Sequence, residues 1–274
     1  KVTMSEHMIQ TAMLAEKAKC CDDLICSSID NNLIAEAYLS KGMIYFNTDK
    51  LELAINEFLF VVENYQKTKY FKEALSALQS AYAALGKIER YLEIVESLPE
   101  ISITKAEQDS LIYNAAFMKF SEADYKVAAA TFAQYLDRFE SGIFLIDAIY
   151  YNAISLVEIG DTASAILMFE KLIDASKSSY QQSALSFLAR KHYFHNDFIK
   201  SNEYYKKLEY IADNNALKRE ALIRLMYGYD KINHPLAFEY AEKVVDLEKK
   251  DDWLLSKAKI IIARNEFSEG NYAK

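Results

Sequence analysis

The sequence predicts an all-α fold, a repeating array of antiparallel helical hairpins, and three observations predict it. Only 6 Gly and 2 Pro punctuate 274 residues, whereas sheet-rich and loop-rich folds need more turn formers than that. A short turn recurs along the chain, with first residues at 49, 86, 123, 160, 196, 232 and 270, spacings of 36 to 38. The stretch after each turn carries apolar residues at i, i+4 and i+7, which is one face of a helix.

The turns are Asp49-Lys50-Leu51, Gly86-Lys87-Ile88, Ala123-Asp124-Tyr125, Gly160-Asp161-Thr162, Asn196-Asp197-Phe198, Ile232-Asn233-His234 and Gly270-Asn271-Tyr272. Gly, Asn and Asp suit a chain that leaves one helix through a left-handed residue and then caps the next. Five residues past each turn start stand Ala54, Tyr91, Ala128, Ala165, Ser201 and Ala237, mostly small. Four further on come Phe58, Val95, Phe132, Phe169, Tyr205 and Ala241, mostly large. Seven before the turn, in the preceding helix, are Gly42, Gln79, Ala116, Ala153, Ala189, Leu225 and Ala263. Small residues let two helices approach closely, and large ones fill the groove beside them. The units holding Tyr91 and Ala241 fit this pattern least well, so distortion is expected there. Thr104-x-x-Glu107 reads as a capping box, and Pro235 as a first-turn proline.

The first unit, Tyr38-x-x-Lys41-Gly42-x-x-Tyr45 followed by Ala54-x-x-x-Phe58, resembles the tetratricopeptide repeat. These units exceed the usual ~34 residues and lack its terminal Pro. The resemblance implies a right-handed superhelical α-solenoid over residues 35–274, in units of about 35–71, 72–108, 109–145, 146–181, 182–217 and 218–255, with a partial unit at 256–274. Residues 1–34 are expected to supply a helix over 4–19 and a cysteine-bearing loop that cover the array. The unpaired helix at 256–272 reads as the start of a further hairpin, and the chain as a fragment of a longer array.

The net charge of -8 and pI near 5.2 argue against nucleic-acid partners, since no basic stripe offsets them. Lys206-Lys207 and Lys249-Lys250 are isolated. No apolar run is long enough to cross a bilayer. Cys20, Cys21 and Cys26 lack zinc spacing and read as loop thiols or, in an oxidising compartment, a local disulfide. His192 and His195 lie at i, i+3 without a completing Glu, and His192 holds the packing place of Tyr45 and Tyr82. His7 and His234 are isolated. Phosphate loops and nucleophile elbows are missing from the sequence, so no catalytic residue, cofactor or metal is expected.

The resemblance implies a protein or peptide partner on the face formed by the first helices. The candidate groove residues are Leu39, Met43, Tyr113, Phe117, Phe120, Tyr150, Ile154, Arg190, Tyr193, Met226 and Tyr229, an apolar and aromatic set suited to hydrophobic peptide anchors. Ser186 and Leu222 hold equivalent places. Chaperone-binding members grip a carboxylate with Lys and Asn where this chain has Leu39 and Met43, which disfavours that mode. The phrases Ala74–Tyr82, Ser97-Leu98-Pro99 and Asp109-Ser110-Leu111 are similar to large repeat proteins of the Bacteroidetes envelope, implying a periplasmic or envelope-associated scaffold. The alternatives are a sensory domain of a larger regulator and a glycan-capture envelope protein; oligomeric state is not predicted.

Overall fold

A computed structural model of the chain describes residues 31–174, 180–248, 251–268 and 270. The helix expected at 4–19, His7, the three cysteines, Lys249-Lys250 and Asn271-Tyr272 lie outside the described residues. Every element described is helical. They fall into two compact units, Lys1–Tyr151 and Asn152–Lys274. The first contains α1 (Asn31–Asn47), α2 (Leu51–Asn64), α3 (Phe71–Ala84), α4 (Ile88–Ser97), α5 (Lys105–Ser121) and α6 (Tyr125–Arg138). Helix α7 (Leu145–Glu158) carries the chain into the second. That unit continues with α8 (Thr162–Asp174), α9 (Gln181–Phe194), α10 (Phe198–Ile211), α11 (Asn215–Lys231), α12 (Leu236–Leu247) and α13 (Asp252–Ser268).

Within each unit, successive helices pack on one another, extensively so for α1 with α2, α5 with α6, α9 with α10 and α11 with α12. The turns show why. Asp49, Gly86, Ala123, Gly160, Asn196, Asn233 and Gly270 all adopt positive φ, between 51° and 83°. The next N–H then bonds back five residues, as Lys50 to Tyr45, Lys87 to Tyr82, Asp124 to Lys119 and Asp197 to His192, all at 2.8–2.9 Å. This is the Schellman closure that satisfies carbonyls left over at a helix end. In three turns the residue making that bond also starts the next helix. The side chains of Asp124, Asp161 and Asp197 accept the N–H groups of Val127, Ser164 and Lys200.

One turn is displaced from its expected place. The left-handed residue is Asn233 and not Ile232. A β-branched side chain clashes in that region while Asn tolerates it. The left-handed positions are therefore 36 or 37 residues apart throughout. Pro235 opens α12 through short bonds, Ala237 N–H to His234 and Phe238 N–H to Pro235, so Ala237 lies four residues past its turn residue where other units need five.

Small residues form the seam inside most of the hairpins, with Gln79 and Met226 as the exceptions. A Cβ added to Gly42 would lie 2.4 Å from the Phe58 ring, so only glycine admits that ring. Phe58, Phe132, Phe169 and Tyr205 are fully buried opposite such residues. Distortion does fall on the unit of Tyr91, where α4 has 10 residues, fewer than any other described helix. Thr104 closes the expected capping box, its hydroxyl accepting from Glu107 N–H at 3.2 Å while its own N–H donates to Glu107 Oε2 at 2.8 Å. The fold is of the tetratricopeptide type, read from its hairpins and the register of their turns.

Candidate functional site

The first-helix face is built from α1, α3, α5 and the start of α7 in the first unit, and from the end of α7, α9, α11 and α13 in the second. In the second unit it opens into a cleft of about 680 Å³ lined by Ile154, Phe187, Arg190, Lys191, Phe194 and Leu217, with Asp213 and Asn214 at one edge. Helix α9 places Phe187 and Phe194 two turns apart on one side, and Phe194 is 71% exposed. Its opposite side, Leu185, Leu188 and Ala189, is buried. The cleft is therefore the unburied side of a helix whose other side is core.

Charge is arranged tightly there. Arg190 donates to both oxygens of Glu220, at 2.6 and 2.5 Å, in a two-pronged pair. The Tyr205 hydroxyl also donates to Glu220, at 3.2 Å. Hydrogen bonding from Arg190 holds the Glu220 carboxyl below its ordinary range, and the same bond raises the guanidinium. Burial, followed by the negative charge of Glu220, pushes the Tyr205 hydroxyl well above its usual value. Lys191 lies over the Phe187 ring at 5.6 Å, and has no ion-pair partner among the described residues. Arg224 stacks on Tyr193 at 4.5 Å. Apolar rings beside cations can hold a peptide by its side chains.

The predicted groove residues divide by burial. Leu39, Tyr113, Met226 and Tyr229 are buried and belong to the core, which corrects their placement on a binding surface. Tyr113 packs between Phe144, Phe132 and Tyr135. With the turn at Asn233, Met226 falls seven residues before it and so lies in the seam; Tyr229 stacks on Tyr240 of α12. Ser186 is buried as well. Met43, Phe120, Tyr150, Ile154 and Tyr193 are half-buried, and Phe117 is partly exposed. Phe117 and Phe120 gather with Tyr151 in the first unit. Ile154 and Arg190 meet in the cleft. Phe187, Phe194 and Leu217 were not expected there. Their signal is an apolar pair at i, i+7 on a helix whose core positions are already filled.

His192 is a packing residue, its Nδ1 3.1 Å from Asp197 Oδ2 and its ring 5.5 Å from that of Tyr204. Among the described residues no group of three metal-ligating side chains comes together, and no helix is long and apolar enough to cross a membrane.

No protein-family model matches the chain, and no curated protein does. Among solved structures it is similar to PilW, a type IV pilus biogenesis factor, at 14% identity over 81% of this chain and 97% of that one, TM-score 0.39. It is also similar to the apo form of the quorum sensor NprR from B. thuringiensis, at 15% identity over 95% and 80%, TM-score 0.36. A Bacteroides ovatus chain matches at 17% identity over 85% and 98%, TM-score 0.33. Likeness at this level adds nothing to the fold assignment, which stands on the hairpins themselves.

Proposed function

We propose that the chain is a non-catalytic protein-interaction scaffold, and that the cleft of its second unit seats apolar side chains of a peptide segment. The carrying observation is Phe194, exposed beside Phe187, Leu217 and Lys191 in a cleft large enough for several side chains. An exposed ring such as Phe194, next to the half-buried Phe187, gains most from a partner that dehydrates it. The test is selection of a displayed peptide on the whole chain, followed by titration against the Phe187→Ala/Phe194→Ala variant. Loss of at least about tenfold in affinity is expected for anchors of this kind. Unchanged affinity would place binding elsewhere.

The envelope is the proposed compartment, supported by the similarity of the Ala74–Tyr82 and Ser97–Pro99 phrases to envelope repeat proteins. Cell fractionation with the native gene checks it: recovery with periplasmic or membrane fractions is expected, and recovery with cytosol alone would overturn it.

A further inference from the structure

The first unit has its own recess on its first-helix face, separate from the cleft above. It is a notch of about 230 Å³ between α1 and α3, lined by Met43, Phe46, Ala77, Ser76, Ser80 and Glu73. It has room for one side chain, and falls short of cofactor-sized pockets. Its floor is apolar, and Glu73, exposed at its margin, has no hydrogen-bond or ion-pair partner among the described residues.

The repeat itself shows which chemistry such a carboxylate takes. Met43 lies six residues before its left-handed residue, Asp49, and Glu73 lies thirteen before Gly86. In the second unit, Arg190 lies six before Asn196 and Glu220 thirteen before Asn233. These are the same two places in adjacent hairpins, and there they form the two-pronged guanidinium–carboxylate pair. In the first unit Met43 replaces the arginine, leaving the carboxylate and opening the notch. The six-before places of that unit are Met43, Ser80 and Phe117, with no cation among them, while its thirteen-before places are Glu36, Glu73, Ser110 and Asp147. Glu36 is engaged by Tyr70.

We infer that this notch binds a basic peptide segment, one apolar side chain entering between Met43 and Ala77 while a neighbouring arginine pairs with Glu73 as Arg190 pairs with Glu220. The occupant is thus complementary in charge as well as shape, and planar guanidinium is preferred to ammonium for two-pronged pairing.

The test is fluorescence anisotropy on the whole chain with two labelled synthetic peptides, one with a central Leu flanked by Arg and its counterpart with Glu for Arg. The Arg peptide is expected to bind, more weakly as salt rises, and the Glu peptide is expected not to. Glu73→Gln should weaken the Arg peptide about tenfold. Met43→Arg should abolish its binding by supplying the pair internally, and circular dichroism checks that both variants remain helical. Phe187→Ala/Phe194→Ala should leave this binding unchanged, which separates it from the cleft of the second unit. Equal binding of both peptides, or wild-type affinity in Glu73→Gln or Met43→Arg, would overturn the inference. Loss in the Phe187/Phe194 variant would assign the peptide to the other cleft and overturn it as well.

Discussion

Tyr135→Phe removes one oxygen from a buried phenol that makes two hydrogen bonds in the first unit. The Tyr135 hydroxyl donates to Asp109 Oδ1 at 2.6 Å and accepts the Phe144 N–H at 3.0 Å. Asp109, buried on α5, also accepts the Ile143 N–H at 2.8 Å. One phenol and one carboxylate thereby tie the link between α6 and α7 back onto α5. Phenylalanine keeps the ring and its apolar burial, so the cost isolates the polar contacts. A hydrogen bond to a charged group contributes about 1.5–3 kcal/mol, and leaving a partner buried and unsatisfied costs about 1–3 kcal/mol. Allowing for relaxation around Phe144, the variant should lose about 3 kcal/mol, a large part of a marginal stability. Urea unfolding followed by circular dichroism measures it, with Tyr210→Phe as control because Tyr210 is 91% exposed. If Tyr135→Phe shifts the midpoint no more than that control, the network is not stabilising and the reasoning fails.

Other perturbations follow from the same geometry. Ala123 holds φ of 60°, so Ala123→Gly should stabilise by about 1 kcal/mol; an unchanged or lowered melting temperature would contradict this. Gly42→Ala should destabilise by about 1–3 kcal/mol, because the added methyl meets the Phe58 ring at 2.4 Å, and chemical denaturation would reveal it. Thr104→Ala breaks the capping box and should cost about 1 kcal/mol, whereas Thr104→Ser should recover most of it. Alkaline pH should unfold the protein. Tyr113 and Tyr204 are raised to about 12, chiefly by burial, with the charge of Asp147 and the hydrogen bond to Glu170 adding to it respectively. A raised folded pKa leaves its stabilisation intact below about pH 10, where unfolded tyrosine begins to ionise. It is lost progressively as pH climbs through 12. The phenolate absorbance that remains to develop after exposed tyrosines such as Tyr210 have ionised should therefore rise together with the loss of ellipticity. Full phenolate absorbance near pH 10 without unfolding would contradict the burial of Tyr113 and Tyr204.

The hairpins were legible because their turns are chemically constrained. Left-handed backbone selects Gly, Asn and Asp, and close helix approach selects Gly42, Ala116, Ala153 and Ala189. The turn read as starting at Ile232 has its left-handed residue at Asn233, because Pro235 brings Ala237 one residue closer to the turn than in the other units. Site residues were harder to read, because a face only one residue wide in register separates core from surface. Tyr113 and Phe117 sit one turn apart on α5, yet the first is buried among rings and the second partly exposed. Sequence spacing fixes the direction of each side chain about the helix. It does not fix whether a neighbouring hairpin, such as the one bringing Phe144 to within 4.3 Å of the Tyr113 ring centre, covers it. The Arg190–Glu220 pair was likewise hidden, since its relation to Met43 and Glu73 appears only with Asn233 as the turn residue.

The central claim is that this scaffold meets its partner through its first-helix face. Oxidative footprinting of the chain, free and bound to a peptide selected on it, compares Phe194 on α9 with Tyr210 on α10, both strongly exposed in the free protein. Protection of Phe194 with Tyr210 still labelled is the predicted result. Protection of Tyr210 with Phe194 unchanged would put the partner on the second helices and contradict it.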